Sequence, residues 1–466
     1  MARKHTAYGY WLEEAGLPGR QAPLAGDVDA DLVVVGGGYT GMWTAWFVST
    51  LAPDARVVVL EADGCGTGPS GRNGGFATSM WPSLHSLRER FGTAAALELA
   101  RVSEAAVDGI GTWCAEEGVD AWYRHAGYLQ VSTTPLHDGA WHASCEACQE
   151  LGEPGACIPQ SSPEVRRRCA SPVFRSGAFY PSAATVHPAR LALGLRSRLI
   201  ERGVAVFERS RARRLRSSPA GAVVETDGGR VRARAAVLAA GGRLAAHRPL
   251  RRRLTVTSSH MVITEPVPDV LDSIGWTGGE CITDSRAMVQ YFRTTPDGRI
   301  AFGWGGGRVV AGARVNGRAE LDARMAREVE ARVLHLFPAL RGRVIEHAWG
   351  GPIDVSPTHV PVIGSLPGAP VHYAFGYTGN GVAPSRVAAR ALASMALDRR
   401  DSHTRLALVE PEPVRVPPEP FRYAGGTIIR AALLRSERLE EEGRRPDPLT
   451  RFVAGVPARI GIHVGR

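Results

Sequence analysis

The chain has 466 residues, a formal net charge of +10 and 44% apolar residues, enough to bury a large core in two intertwined domains. It has no run of about 20 apolar residues, and residues 1–31 carry no apolar leader core, so neither a membrane-spanning helix nor a secretory signal is expected. The positive charge is nearly all arginine, with Lys4 the only lysine. The clusters Arg211 to Arg216 and Arg251 to Arg253 lack interleaved aromatics, which argues against nucleic-acid binding and leaves gene composition as a better account than steering of an anionic substrate.

In chain order, a short helix is expected over Tyr8 to Leu17. The apolar run Leu32 to Val35 then reads as a buried parallel strand. Gly36, Gly38 and Gly41 follow at G-x-G-x-x-G spacing and open a helix from roughly Gly41 to Leu51. Gly36 permits the tight turn, Gly38 admits a pyrophosphate to the backbone, and Gly41 lets the helix pack closely on the sheet. The helix N-terminus, with Tyr39 and Thr40, presents N–H groups to the phosphates. A second strand, Arg56 to Leu60, ends at Glu61 and Ala62, where a carboxylate can accept both ribose hydroxyls of an adenosine. Strand, helix, strand and acid in register define a dinucleotide site.

Residues 64–80 are glycine-rich without a period and read as a loop. From about 83 to 176 the pattern is mostly helical, as in Gly92 to Glu117, with a strand at Gly127 to Thr133. A helix over Ala189 to Arg202 leads into a parallel strand, Val204 to Glu208. Ala222 to Thr226 and Arg230 to Ala233 form a hairpin about Asp227-Gly228-Gly229, and a separate buried strand spans Ala236 to Gly242. Alternating strands follow at Thr255 to Thr264, Ala287 to Thr294 and Arg299 to Trp304, then a helix over Leu321 to Phe337. The strand His372 to Phe375 runs into Gly376, Gly379 and Gly381 and a helix from about Pro384 to Leu397. A proline-rich connector at 410–420 precedes a last helix near Thr427 to Glu442.

The expected fold is therefore α/β. A Rossmann-like dinucleotide domain (1–85, 180–252 and 345–400) is interleaved with an α+β substrate domain on an antiparallel sheet (86–179 and 253–344). Residues 401–466 form a C-terminal extension. Seven cysteines, an odd number, argue against a disulfide framework and for the cytoplasm. Cys145-x-x-Cys148 with Cys157 and Cys169 has irregular spacing, so ordinary cysteines are favoured over a zinc site and no metal is expected. Gly303 to Gly307 lacks a following helix, which disfavours a second nucleotide site.

The chain resembles the D-amino-acid-oxidase-like flavoproteins. The likeness rests on Gly36-x-Gly38-x-x-Gly41 with Glu61, and on Ser70-Gly71-Arg72-Asn73-Gly74-Gly75. It continues through Val186-His187-Pro188, Val237 to Gly241, Tyr291-Phe292-Arg293-Thr294, and Gly376 to Ala383. Ser70 to Gly75, with Cys281 and Asp284, looks most like the γ-glutamylputrescine oxidoreductase-like subgroup. Aminophosphonate oxidoreductases look similar, also in the tail Pro417 to Gly426. The resemblance implies FAD, with Gly36, Gly38, Tyr39, Thr40, Gly41, Glu61 and Ala62 at the adenosine and pyrophosphate end. Ala212, Ala240 and Gly241 are further cofactor contacts. The ring would lie between Ser70, Arg72, Asn73, Gly74, Gly75 and the loop Gly376, Gly379, Asn380, Gly381, Val382.

Relatives with covalent flavin have a cysteine before the C-terminal glycine loop or a histidine after the first βαβ unit. Neither occurs here, so FAD is expected to be non-covalent. The lysine that relatives place beside the flavin for oxygen is also missing, so Arg293 or His260 serves instead, or oxygen is not the acceptor. The expected reaction is hydride transfer from the carbon beside the nitrogen of a small amine or amino acid, giving an imine that hydrolyses. Tyr291 and Arg293 share one face of a strand, where Arg293 would clamp an anionic group of the substrate or pair with a local acid. His260 faces either the site or solvent, and His359 is as readily structural as catalytic. A flavoprotein subunit that only relays electrons is the alternative.

Overall fold

In the computed structural model, which describes residues 4–5, 8–315, 317 and 320–462, the apolar run at Leu32 lies in strand Val28–Val35. This strand sits inside a parallel sheet ordered Ala205–Phe207, Val57–Leu60, Val28–Val35, Arg230–Leu238, Val371–Phe375. Val362–Ser365 closes one edge antiparallel. The second strand of the expected hairpin and the strand expected at Ala236 are one continuous element, Arg230–Leu238. Its first half alternates exposed and buried residues and pairs with Gly221–Glu225, whereas its second half is buried on both faces between two parallel neighbours. No break separates them, because the strand passes directly from a half-exposed to a fully buried environment.

Helix Tyr39–Leu51 covers this sheet and begins two residues before expectation, with Gly38 as its N-cap. Helices Thr93–Glu116 and Val382–Ala396 pack beside it. Trp113 inserts edge-on between Trp43 and Trp46, with ring centroids 5.0 and 5.5 Å away. Thr93–Glu116, expected in the substrate domain, thus packs against helix Tyr39–Leu51 of the first sheet. Amphipathic helices carry no mark of which sheet they cover. Within 64–80, a short helix Pro69–Arg72 and a strand Phe76–Thr78, paired with Ala183–Thr185, interrupt the expected loop.

Among the described residues, nine strands form the second sheet. Its centre is Ile345–Val355, Thr255–Thr264, Ile300–Trp304, Gln290–Thr294 and Cys281–Asp284, all antiparallel. Ile345–Val355 pairs with Thr255–Thr264 along its length. Lys4–His5 joins this sheet beside His347 and Ala348. The core of this half stacks Phe292 on Phe302 and Trp276 on Phe337.

Cys145 and Cys157 form a disulfide with Cα atoms 5.0 Å apart, while Cys65, Cys114, Cys148, Cys169 and Cys281 are buried thiols. One crosslink is therefore present where ordinary cysteines without a disulfide framework were expected. Sequence spacing could not show that helix His142–Glu150 and the strand Ile158–Gln160 fold back on each other. No described helix is long and apolar enough to cross a membrane.

The extension packs on the second sheet. Its helix, Phe421–Glu441, starts six residues earlier than expected. Glu437 is 4% exposed, and one carboxylate oxygen accepts the Met288 N–H at 2.7 Å while the other has no hydrogen-bond partner. Burial raises its pKa to about 7, reinforced by Asp284 and opposed by the Met288 N–H, Arg286 and Arg332. A carboxyl whose folded pKa is raised binds its proton more tightly when folded. Its contribution to docking is complete below about 4.5 and is lost as pH rises towards about 7. Amide hydrogen exchange across 421–441, corrected for intrinsic rate, should accelerate between pH 6 and pH 8. Glu437→Gln should remove that dependence, and an unchanged profile in the variant would assign the effect to another group.

Candidate active site and cofactor cavity

One cavity of about 1850 Å³ runs from the first glycine turn to the second sheet. That exceeds the roughly 300–1,000 Å³ of an ordinary small-molecule pocket and is room for a dinucleotide together with a substrate. At the dinucleotide end the chain turns sharply after Val35. Gly36 has φ +117°, and a Cβ there would lie against the Ala239 carbonyl. A Cβ on Gly41 would meet the Gly36 carbonyl oxygen, so helix and turn touch backbone to backbone. A Cβ on Gly38 meets only the Ser70 hydroxyl, at 3.0 Å, and otherwise enters open cavity. Gly36, Gly38, Tyr39, Thr40, Glu61 and Ala62 all line this end, with Ala212, Ala240 and Gly241. Gly41 lies beneath it.

The Glu61 carboxylate accepts the Gly37 N–H at 2.7 Å and the Asp63 N–H at 2.9 Å. Burial raises its pKa, against the lowering by those two amides. The amides fix the carboxylate at the cavity wall, with lone pairs left for a ribose diol. Glu61→Ala should weaken dinucleotide binding at least tenfold, since hydrogen bonds to a charged acceptor contribute about 1.5–3 kcal/mol each. Equilibrium dialysis measures this, and unchanged affinity would remove Glu61 from the ribose site.

The segment Ser70 to Gly75 is tied to the same turn. Ser70 Oγ accepts the Tyr39 N–H at 2.8 Å, and Asn73 bridges the Ser70 carbonyl and the Gly75 N–H. Arg72 pairs with Glu320 at 3.3 Å, and its carbonyl accepts the Trp349 indole N–H. Ser70, Arg72, Asn73 and Gly74 face the cavity, whereas Gly75 turns under Val186. Opposite, Gly376 packs against Ser356, and Gly379, Asn380, Gly381 and Val382 line the cavity where helix Val382–Ala396 begins. Thr78 donates to the Asn380 side chain at 2.8 Å and joins the two loops.

On the second sheet Tyr291 faces the cavity, its hydroxyl 2.8 Å from Ser259 Oγ, and burial pushes its pKa up to about 12. A Cβ on Gly303 would clash with the Tyr291 ring, so this glycine lets the ring lie along the sheet.

Two expected catalytic residues are placed elsewhere. Arg293 shares the face of Tyr291 but is 1% exposed beneath the 73–76 turn, away from the cavity. Its guanidinium donates to the carbonyls of Thr294 at 3.0 Å, Gly75 at 3.4 Å and Val186 at 2.5 Å. Burial lowers its pKa to about 10. Alternation gave the face correctly, but the loop covering that end of the strand makes Arg293 a brace and not an anion clamp. His260 lies on the face opposite the cavity-lining Ser259 and Met261, hydrogen-bonded to Ser258 Oγ at 3.2 Å. Burial lowers its pKa to about 4. His359 lines the cavity.

Residues that sequence reasoning missed include Tyr128, Gln130, Ser259, Met261, Trp349 and Asp354, all facing the cavity. Period-two alternation pairs Ser259 with Met261 against His260, but nothing in the strand says which set faces inward. The Asp354 carboxylate accepts the Gly376 N–H at 2.6 Å, and burial raises its pKa to about 6. It holds the second glycine loop at the cavity wall.

A long cavity, an acid fixed for a ribose, a glycine with open space above its Cα and two helix N-termini together suit FAD. Residues 31–395 match the family described as FAD dependent oxidoreductase (DAO). The chain belongs to that family. This flavoprotein is 28% identical to the probable oxidoreductase OrdL of Rhizobium meliloti, over 91% of its own length and 95% of the relative. It is 28% identical to the γ-glutamylputrescine oxidoreductase of Escherichia coli, over 84% and 89%. The fold is also that of glycine oxidase from Geobacillus kaustophilus. There the TM-score is 0.65 with 19% identity, covering 80% of this chain and 96% of the other. The FAD-dependent oxidoreductase fold thus accounts for both sheets and the cavity between them.

Proposed function

We propose that this flavoprotein oxidises the C–N bond of a small amine or amino acid, holding its FAD without a covalent link. The reading is carried by one face of the second sheet, where Tyr128, Gln130, Ser259, Met261 and Tyr291 line the cavity with no charged side chain among them. Such a wall suits a substrate that reacts as a neutral amine. The similarity to a γ-glutamylputrescine oxidoreductase, whose name refers to an amine, supports it.

Bound FAD would supply a two-electron acceptor. This chain's residues do the rest by binding and orientation. The Tyr291 hydroxyl, shared with Ser259, offers a hydrogen bond to the substrate while keeping its proton at neutral pH. Gln130 is positioned by Ser285 Oγ at 3.2 Å and adds an adaptable donor and acceptor. The N-terminal turn of helix Val382–Ala396 places a positive dipole end beside the second glycine loop, where negative charge would be stabilised. No strong base is required, since the lone pair of a neutral amine drives loss of hydride from the adjacent carbon.

Arg293 lies outside the cavity, so an anionic group on the substrate would have to be held by another residue. A solution compartment without membrane anchorage, a small-molecule substrate and an acceptor that is either oxygen or another oxidant complete the proposal. Turnover of an amine panel with an artificial electron acceptor tests it, with the carbonyl product trapped as a hydrazone. Carbonyl release from an amine is expected. Turnover of 2-hydroxy acids to the exclusion of amines would overturn the reading. Acid precipitation should leave the yellow cofactor in the supernatant, and colour retained by the polypeptide would overturn non-covalent attachment.

A further inference from the structure

The helix Phe421–Glu441 lies beyond residues 31–395, which match the family, yet it forms part of the cavity wall. Phe421, Gly425, Ile429 and Leu433, at four-residue spacing, line the cavity together with Arg422, Gly426 and Arg430. This is one continuous helix stripe. It faces the rim of the second sheet, where Met288, Val289, Gly305, Gly307 and Val309 also line the cavity. A Cβ on Gly426 would come within 3.3 Å of Val309, so helix and rim meet there, while a Cβ on Gly425 would meet nothing within 4 Å. The space beside Gly425 is open, and Ile429 and Leu433 line the cavity one and two turns further along the helix.

The helix is pinned in this position at three points. Arg422 donates to the carbonyls of Arg251 at 2.7 Å and Leu254 at 3.0 Å and pairs with Glu419. Arg430 donates to the carbonyls of Gly306 at 3.0 Å and Gly307 at 2.6 Å. Glu437 holds the Met288 N–H. Both arginines that reach the stripe are thus engaged with backbone carbonyls or a carboxylate. What the stripe presents beside them is the alkyl surface of Ile429 and Leu433, with Met288, Val289 and Val309 also lining the cavity.

We infer that the C-terminal helix is a specificity wall, in which Ile429 and Leu433 receive the hydrocarbon portion of an amine substrate that is longer than a simple amino acid. The inference rests on the amine reading for the identity of the reacting group. The wall itself can be tested without turnover. The subsite takes an alkyl or alkylene chain extending from the reacting nitrogen, and selectivity comes from burial of methylenes. Full burial of a methylene strengthens binding by roughly fourfold.

The test titrates the oxidised holoenzyme with n-alkylamines of two to eight carbons and follows perturbation of the flavin absorption band. The native protein should show Kd falling about fourfold per added methylene until the subsite is filled. Ile429→Asp should flatten that dependence while the flavin content, the spectrum of the free holoenzyme and the Kd of the shortest amine that binds stay unchanged. Leu433→Ala should flatten it partially and guards against misfolding of the charged variant. A chain-length dependence that survives in both variants, no dependence in the native protein, or no perturbation by any of the amines would overturn the specificity wall. The amine reading is judged separately, by whether any amine reduces the flavin. Dependence on chain length without reduction would keep the wall and remove the chemistry.

Discussion

Gly38→Val is expected to yield folded but colourless protein. The glycine Cα opens on the cavity, with only the Ser70 hydroxyl near a Cβ at 3.0 Å. A β-branched side chain would occupy the volume through which a pyrophosphate approaches the N-terminus of helix Tyr39–Leu51. It would also displace Ser70, whose Oγ accepts the Tyr39 N–H. The φ at Gly38 is −88°, a value that any residue adopts, so the loss comes from volume and not from backbone strain. An affinity loss of a thousandfold or more is expected, with the far-ultraviolet circular dichroism of the apoprotein unchanged. Retention of stoichiometric FAD would mean that the phosphates bind elsewhere.

The second large effect concerns Arg293. Its guanidinium joins three backbone carbonyls, of which those of Gly75 and Val186 belong to two separate loops. Arg293→Met removes the donors, and although the Gly75 carbonyl still accepts the Val186 N–H, each buried acceptor left unpaired costs about 1–3 kcal/mol. It also frees the turn that carries Asn73 and Gly74 into the cavity. A lowered urea midpoint and weaker FAD binding are therefore expected together. Arg293→Lys keeps the charge but can span fewer acceptors, so it should lie between the two. An anion clamp would behave differently, raising KM for anionic substrates with stability and FAD binding intact, and that result would contradict the bracing role.

The dinucleotide half was legible in the sequence because each of its demands excludes most residue types. Gly36 sits at φ +117°, Gly41 has the Gly36 carbonyl where its Cβ would be, and Glu61 stands at the end of a strand buried throughout. Local chemistry alone specifies such positions. The substrate half was legible as strands but not as a site. The alternation Ser259-His260-Met261 is equally compatible with either face inward, and the cover over Arg293 comes from Gly75 and Val186, more than 100 residues away in the chain. The same reason hid the C-terminal helix from the site. It was expected only from near Thr427, and only the folded chain shows that residues 425, 426, 429 and 433 face a cavity. The pairing of Ile345–Val355 with Thr255–Thr264 is likewise visible only in the folded chain.

The central claim, that the site passes electrons from an amine C–N bond to FAD, is tested most directly by anaerobic mixing of the oxidised holoenzyme with amines in a stopped-flow spectrophotometer. The panel should contain γ-glutamyl polyamines, N-methyl amino acids, aminophosphonates and uncharged alkylamines, with 2-hydroxy acids as the control class. The account predicts loss of the flavin absorption near 450 nm with at least one amine, at a saturating rate that rises as pH brings that amine to its neutral form. Bleaching by a 2-hydroxy acid with every amine silent would contradict it.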